Sequence, residues 1–418
     1  MKAKRIVSIL LTGSMLLSLL PVSALAAAPV FDAPAQTTAK KAAPLVQEAD
    51  ASRSTEEEAA TRSSRDLDAE NSTSDSFTID LNAGGMPESE GDYDHWFYSA
   101  NSTTLFLYDG TFTLQPSSDP EAASALQADL DIGGAAEFNS GTVGRRAYNE
   151  GTISGGTFQK AVHNDATPNN QGFILDGIFK EQVHNWGTIS GGIFQGEVHN
   201  WGTISGGTFQ KPVYNYRTIS GGTFEEVVEM NESPEGAKIE GGTFKKGIEL
   251  NAYFPTITIK DGLFDGEVSA AEGYSGTLNI SGGYFVNKPT VLEGSDTGFT
   301  TVSYQAGRTF QVPVNGDWSE SGYNKLYVPN GSPAQPNTIT VKTAAPLTDC
   351  LADGVSIMET DKVQKNDDGS YTIEVYQPES IVLVTEKPAP STPDEPGDEL
   401  DPGFSSGAAA LGIVLGTA

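Results

Sequence analysis

The sequence predicts an all-β protein whose centre is a parallel β-helix (β-solenoid), and three observations carry this prediction. A six-residue phrase, Ile-x-Gly-Gly-x-Phe, recurs at offsets of 15 residues, beginning at Ile189, Ile204 and Ile219. A fixed short period marks an array in which each unit buries its apolar face on its neighbours. The units are rich in Gly, Thr, Ile, Val and Phe, a composition that disfavours helix and suits a pleated surface.

Each unit is short enough to form one coil of three strands. The strands predicted for one coil are Thr203 to Ser205, Thr208 to Gln210 and Val213 to Asn215. Fifteen residues at about 3.3 Å each give a perimeter of only ~50 Å. The interior therefore has room for one file of side chains per wall, which in this coil is Ile204, Phe209 and Val213.

The chain before the repeats divides into three segments. Residues 1–26 have a basic start, an apolar run from Ile6 to Leu20 and the small-residue site Ala24-Leu25-Ala26, as a secretory signal peptide has. Residues 27–76 are a predicted disordered spacer, because they contain almost no aromatic side chains. Residues 77–106 are a predicted N-terminal cap that covers the open strand edge. Within the cap, His95 with its neighbours Asp92 and Asp94 is interpreted as a surface turn.

The repeats are predicted to span residues 107–302. Further copies of the phrase, some exact and some looser, extend the array in both directions, and Leu130 to Val143 is one degenerate coil. These copies are Leu107 to Phe112, Ile153 to Phe158, Ile174 to Phe179, Ile239 to Phe244, Ile259 to Phe264 and Ile280 to Phe285. The first glycine of the pair is replaced only by Asp109, Asp176 and Asp261, so we expect a positive φ at both positions of this corner.

An asparagine follows at a constant place in the coils. The predicted ladder comprises Asn149, Asn164, Asn185, Asn200 and Asn215, continued by Asn231 and Asn251. Amides stacked about 4.8 Å apart can form hydrogen bonds from rung to rung and to the turn backbone. We interpret the ladder as structural.

A strip of surface residues is the candidate binding site. Strand alternation directs outward the residues Tyr148, His163, His184, His199 and Tyr214. The adjacent corner column is Glu150, Asp165, Trp186, Trp201 and Tyr216. The candidate ligand-binding residues are Trp186, Trp201, Tyr216, His184, His199 and Tyr214. Aromatic rings with a polar rim suit an extended sugar chain, whereas rings that only stack on one another need no ligand. Stacked imidazoles at His163, His184 and His199 could bind zinc, but no carboxylate or backbone acceptor is identifiable to orient them, so simple ladder stacking is favoured.

After the repeats, residues 303–385 carry short alternating runs and are predicted to form a small antiparallel β domain of sandwich type. Asn366 to Ser370 is interpreted as a hairpin turn rather than a calcium loop. Residues 386–404 are a Pro-rich, acidic linker, and residues 405–418 are an apolar tail too short to cross a bilayer alone.

Composition excludes several function classes. The net charge of −30 disfavours nucleic acid and anionic membranes as partners, so membrane contact is expected only through the signal peptide or the tail. Cys350 is the only cysteine, and no cofactor or metal is predicted. The sequence has no G-x-S-x-G, H-E-x-x-H, C-x-x-C or phosphate-loop motif.

The repeated Ile-x-Gly-Gly-Thr-Phe phrase resembles the repeat of β-solenoid surface proteins secreted by anaerobic Gram-positive bacteria. The resemblance covers about Leu107 to Phe285 and implies a cell-surface location, without an activity. We therefore expect a secreted or cell-surface, non-catalytic protein that contacts a polysaccharide or a host or bacterial surface. A surface spacer without a ligand, and a β-helix polysaccharide lyase or glycosidase, are the alternatives.

Overall fold

The computed structural model of the protein describes residues 75–385, with gaps at 120–122, 232, 235, 252–255, 290–297, 306 and 332–333. The predicted signal peptide, linker and apolar tail, and nearly all of the spacer, lie outside the described residues. Every regular element within them is a β-strand, which confirms the all-β prediction. No helix in the described part of the chain is long and apolar enough to cross a membrane.

The solenoid and its cap contain strands β1 to β29. The first four are β1 (Ser76–Asp80), β2 (Trp96–Ser99), β3 (Thr104–Gln115) and β4 (Asp129–Ser140). Strands β5 to β29 are, in chain order, Thr142–Val143, Ala147–Asn149, Thr152–Ile153, Thr157–Phe158, Val162–Asn164, Phe173–Ile174, Ile178–Phe179, Val183–Asn185, Thr188–Ile189, Ile193–Phe194, Val198–Asn200, Thr203–Ile204, Thr208–Phe209, Val213–Asn215, Thr218–Ile219, Thr223–Phe224, Val228–Met230, Lys238–Ile239, Thr243–Phe244, Gly247–Leu250, Thr256–Ile259, Leu263–Phe264, Glu267–Ala270, Thr277–Ile280 and Tyr284–Phe285.

These strands form the coils of a parallel β-solenoid, as the repeat predicted. Each strand pairs in parallel with the equivalent strand of the next coil, without a register shift in the regular coils: β12 pairs with β15, and β13 with β16. A coil therefore has three walls, and the strands of these walls have the sequences Val-x-Asn, Thr-Ile and Thr-Phe. The first two walls share one sheet, and the third wall belongs to another.

A stack of phenylalanines fills the interior. Its rings lie face to face at centroid distances of 4.6 to 5.1 Å between neighbouring coils. The stacked residues, all fully buried, are Phe158, Phe179, Phe194, Phe209, Phe224, Phe244, Phe264 and Phe285. Ile204 and Val213 complete the core of one coil beside Phe209, as predicted. Because each buried Phe removes a large apolar area from water, this file contributes strongly to stability.

The glycine corner behaves as predicted at one position only. The second glycine of every copy has a positive φ, from 95° at Gly156 to 132° at Gly177. Asp176, in the first position, has no positive φ, so the prediction was wrong there. Its Oδ1 instead accepts a hydrogen bond from the Gly177 N–H at 2.8 Å. Where the first position is glycine, neighbouring coils approach closely: a Cβ on Gly206 would lie 2.1 Å from the Ser190 carbonyl oxygen.

The cap forms the first rung of the described chain. Strand β1 pairs in parallel with β3, and β2 runs antiparallel to the other part of β3. Trp96 turns inward and is only 9% exposed, so it covers the end of the core. The preceding segment is a turn, in which Asp92 Oδ1 accepts hydrogen bonds from the N–H groups of Asp94, His95 and Trp96 at 2.8 to 3.2 Å.

The C-terminal β domain contains strands β30 to β40. They are Phe299–Tyr304, Phe310–Gln311, Pro313–Val314, Asp317–Trp318, Lys325–Pro329, Asn337–Thr343, Leu347–Ala352, Val355–Ser356, Val363–Lys365, Tyr371–Val375 and Ser380–Thr385. The pairs are antiparallel except for β30 with β40, and β30 begins before residue 303. The turn at Asn366 to Ser370 joins β38 to β39 as a hairpin.

This domain covers the outer face of the Thr-Phe wall at the last coils. Leu263 and Tyr284 point out of the solenoid, yet both are buried in the core of the C-terminal domain. The Tyr284 hydroxyl accepts a hydrogen bond from the Thr340 N–H at 3.1 Å, and burial raises the pKa of Tyr284 to about 12. The domain thus occupies one wall and leaves the Val-x-Asn wall accessible.

Candidate functional site: an aromatic strip and its groove

Strand alternation creates the outer column of the candidate site. In β15, the side chains of Val198 and Asn200 are fully buried, whereas His199 between them is half-buried on the outer surface. The same alternation holds in the strands above and below. The residues in register are Tyr148, His163, His184, His199 and Tyr214. Their rings stack at centroid distances of 4.6 to 5.3 Å.

The corner column stacks in the same way. The rings of Trp186 and Trp201 are 4.8 Å apart, and those of Trp201 and Tyr216 are 5.0 Å apart. The two columns touch, since the His199 and Trp201 rings are 5.7 Å apart. All six candidate ligand-binding residues therefore lie in one surface patch, which we call the aromatic strip: Trp186, Trp201, Tyr216, His184, His199 and Tyr214.

Stacking limits what the strip offers to a ligand. A ring with neighbours 4.8 to 5.0 Å away on both faces, such as Trp201, presents its edge outward and not its face. Trp186 ends the corner stack, because the preceding corner residue is Asp165. It is also the most exposed indole of the strip, at 39%. Trp186 is therefore the ring best placed to meet a ligand.

A groove opens beside Trp186, on the side away from the histidines. It has a volume of about 490 Å³ and crosses several coils. Backbone at Gly187 and Gly202 forms its floor, and Thr203 and Thr218 contribute hydroxyls. Its remaining lining residues are Ala166, Gln171, Arg217, Gly236 and Lys238. The groove is mostly polar and has a single aromatic ring, so what it offers a ligand is one indole beside several hydrogen-bonding groups.

The glycines of this floor are required by close packing. A Cβ on Gly202 would lie 2.1 Å from the Gly187 carbonyl oxygen and 2.7 Å from the Trp186 backbone. The sequence did not lead us to the groove. The sequence feature that marks the groove is the repeated tripeptide Trp-Gly-Thr. Its glycine and threonine line a groove only when successive coils stack.

The arrangement of the strip disfavours the charged form of its histidines. Burial, followed by the charges of His163 and His199, lowers the pKa of His184 to about 4. Burial also lowers the pKa of His199, against the opposing effect of Glu197. The Gln182 amide links the two rings: it donates to His199 Nε2 at 2.8 Å and accepts from His184 Nε2 at 3.2 Å. His199 Nε2 is consequently unprotonated.

Beneath the strip runs the asparagine ladder. Asn149, Asn164, Asn185 and Asn200 each donate from Nδ2 to the Oδ1 of the asparagine in the next coil at 2.6 to 2.7 Å, and Asn215 ends the ladder. Each also donates to a turn carbonyl, such as that of Gly202 from Asn200 at 3.3 Å. All five are fully buried. The predicted continuation was wrong: Met230 and Leu250 occupy the next rungs, one position before Asn231 and Asn251.

Two corner carboxylates have structural partners. The carboxylates of Asp176 and Asp261 each accept a hydrogen bond from the following glycine N–H at 2.8 Å. Among the residues that the structure describes, no group of three or more His, Cys, Asp or Glu is arranged to hold a metal ion.

Comparisons of the chain with protein-family models, with curated proteins and with solved structures each found no match.

Proposed function

We propose that the protein is a secreted or cell-surface, non-catalytic solenoid that contacts a polysaccharide through the groove beside Trp186. The observation that carries this proposal is the groove itself, in which the exposed indole of Trp186 lines the same space as Gly187, Gly202 and several polar side chains. Sugars have apolar C–H faces and hydroxyl edges, so they bind where an aromatic ring and hydrogen-bonding groups converge. Trp186 supplies the ring, and Gln171, Thr203 and Thr218 supply the polar groups.

The geometry favours an extended chain over a single sugar. The polar wall repeats from coil to coil, since Thr188, Thr203 and Thr218 are in register on adjacent strands. Successive hydroxyls are therefore spaced at ~4.8 Å, the distance between parallel strands. A polymer can repeat its contacts along such a wall, and the gain from several weak contacts exceeds that of one.

Sequence features support the proposed location. Lys2, Lys4 and Arg5 precede the apolar run Ile6 to Leu20 and the site at Ala26, which is the order of a secretory signal. The net charge of −30 suits solubility outside the cell. The resemblance of the repeat to surface solenoids of Gram-positive anaerobes points the same way.

A ligand-free spacer is the second candidate, and the stacking of the strip favours it. Rings that cover one another, as Trp201 and Tyr216 do, stabilise a solenoid without any partner. The stacked histidine column and the buried asparagine ladder add to the same rigidity. The two candidates differ in whether the groove has an occupant.

Retention on a panel of immobilised bacterial and mucin polysaccharides separates them. The wild type is compared with the double variant Trp186→Ala/Trp201→Ala, and with Tyr376→Ala as a control, because Tyr376 is 64% exposed in the C-terminal domain. We expect the double variant to stay folded by circular dichroism and to lose retention, with the control unchanged. If no polysaccharide retains the wild type, the ligand-free spacer is the candidate that remains. New reducing or unsaturated chain ends in the eluate would support the enzyme alternative.

A further inference from the structure

The N-terminal cap carries a second cluster of outward-facing aromatic rings. Tyr93 and Phe97 are 4.8 Å apart between centroids, Phe97 and Phe106 are 6.2 Å apart, and Phe106 and Tyr108 are 6.4 Å apart. Tyr93 is 59% exposed and Tyr108 is 40% exposed. We call these four residues the cap cluster.

Protection of the core does not require this cluster. The end of the solenoid is covered from inside by Trp96, which is 9% exposed, and by the buried residues Leu105 and Leu107. Phe106 and Tyr108 alternate with these leucines in β3 and point to the opposite side. The Tyr93 hydroxyl donates to a Glu90 carboxylate at 2.9 Å, which holds the outermost ring in place.

The cap cluster lies in line with the aromatic strip. Phe106 is in register with Asp131, and Asp131 with Tyr148, so Phe106 belongs to the outer column that contains His184 and His199. Tyr108 lies at the corner of the same wall, opposite the bulge that follows Ile132. The corner residues of successive coils from there to the groove are Gly133, Glu150, Asp165 and Trp186. Four coil steps at about 4.8 Å separate Tyr108 from Trp186 by ~19 Å.

Between the two aromatic groups the outer column contains Asp131 and then the stacked rings of Tyr148 and His163, and charged side chains of both signs lie beside these rings. Asp131, Glu150 and Asp165 face outward there, whereas Arg145 and Arg146 both bind the Asp129 carboxylate, at 3.2 and 3.5 Å. Arg217 and Lys238 line the groove at the far end. A strongly anionic or cationic polymer would meet like charges in one of these regions. A polyhydroxylated chain without charge avoids this repulsion in both regions.

We propose that the cap cluster is a second subsite for the same ligand, so that one uncharged polysaccharide chain runs along the outer column of the Val-x-Asn wall from Phe106, past Tyr148 and His163, and enters the groove at Trp186. This inference rests on the proposed function of the groove. Two platforms on a rigid rod bind a polymer by avidity, because the second contact is intramolecular once the first has formed. A fragment too short to span the ~19 Å between them gains nothing from the cap.

The test compares long and short fragments of one neutral polysaccharide, chosen from a β-glucan, a mannan and a galactan by retention of the full-length wild type. The variant is Tyr93→Ala/Tyr108→Ala, because these exposed rings can be removed with the least effect on folding, and Tyr376→Ala is the matched control. In titration calorimetry, we expect the wild type to bind long fragments at least about tenfold more tightly than short ones. The cap variant should lose that advantage and keep the short-fragment affinity.

The outcomes distinguish the two proposals. Binding of both lengths with equal affinity by the wild type, or an unchanged length preference in the folded cap variant, would overturn the second subsite and leave the groove intact. Failure of all three neutral polysaccharides to bind the wild type would overturn this inference, and failure of the whole panel would overturn the proposed function as well. Tighter binding of an acidic polysaccharide would contradict the uncharged ligand.

Discussion

The side chains of Asn200 and Asn215 form a buried hydrogen bond of 2.7 Å between successive coils, directly beneath the surface rings of His199 and Tyr214. The rungs of the interior ladder and those of the aromatic strip therefore have one common register. Each strand contributes one buried residue to the ladder and the adjacent outward residue to the strip, because residues alternate between the two sides of a strand. A substitution in the ladder therefore shifts the neighbouring ring of the strip.

The ladder predicts a loss of stability in Asn200→Ala. The substitution leaves the Asn185 Nδ2 and the Asn215 Oδ1 without their ladder partner, and the turn carbonyls of Gly202 and Thr218 without their amide donor. Buried groups left unpaired cost ~1–3 kcal/mol. Urea unfolding should show this loss, whereas Asn231→Ala, outside the ladder, should have little effect. Equal midpoints for the two variants would remove the ladder from the account.

The phenylalanine stack predicts a larger effect in Phe209→Ala. The ring is fully buried between Phe194 and Phe224, at centroid distances of 4.7 and 4.8 Å. Its removal leaves a cavity, because the core has only one file of side chains per wall. We expect a loss of ~3–5 kcal/mol in the free energy of unfolding. Ile193→Ala, at an exposed position of the same wall, is the control. A loss in Phe209→Ala no greater than in the control would contradict the packing described.

The histidines predict opposite pH dependences in the central coils and in the cap. The pKa of His184 falls to about 4 on folding, so its contribution to stability is present above about pH 6.5 and is lost as the pH falls toward 4. The hydrogen bond to Asp92 raises the pKa of His95, so its contribution is present below about pH 6.5 and is lost as the pH rises through the folded pKa.

Imidazole proton shifts, followed by NMR from pH 8 to 4, test this directly. The His184 signal should stay constant until the acidic end, while the midpoint of the His95 signal should lie above the ordinary histidine pKa of about 6.5. Gln182→Ala removes the bridge between the His184 and His199 rings and serves as a comparison. A His184 midpoint near 6.5 in the wild type would show that the rings are not stacked as described.

The coil could be predicted from the sequence, because the 15-residue repeat determines which side chains point inward and where the chain turns. The prediction that the ladder continues at Asn231 was wrong, because Asn231 lies 16 residues after Asn215 and Met230 takes the buried position. The groove was missed for another reason. Its floor and walls come from several coils, and each coil contributes only a glycine, a hydroxyl or a ring that has an ordinary structural explanation alone.

The central claim is that Trp186 contacts a bound polysaccharide, and the most direct measurement follows the indole Nε1–H signals by NMR during titration with a retained neutral fragment. The chain has four tryptophans: Trp96 is buried in the cap, Trp318 lies beneath Lys342 in the C-terminal domain, and Trp186 and Trp201 belong to the strip. We predict a saturable shift of the Trp186 signal, a smaller one for Trp201, and constant signals for Trp96 and Trp318. Saturable binding that leaves the Trp186 signal unmoved would contradict the claim.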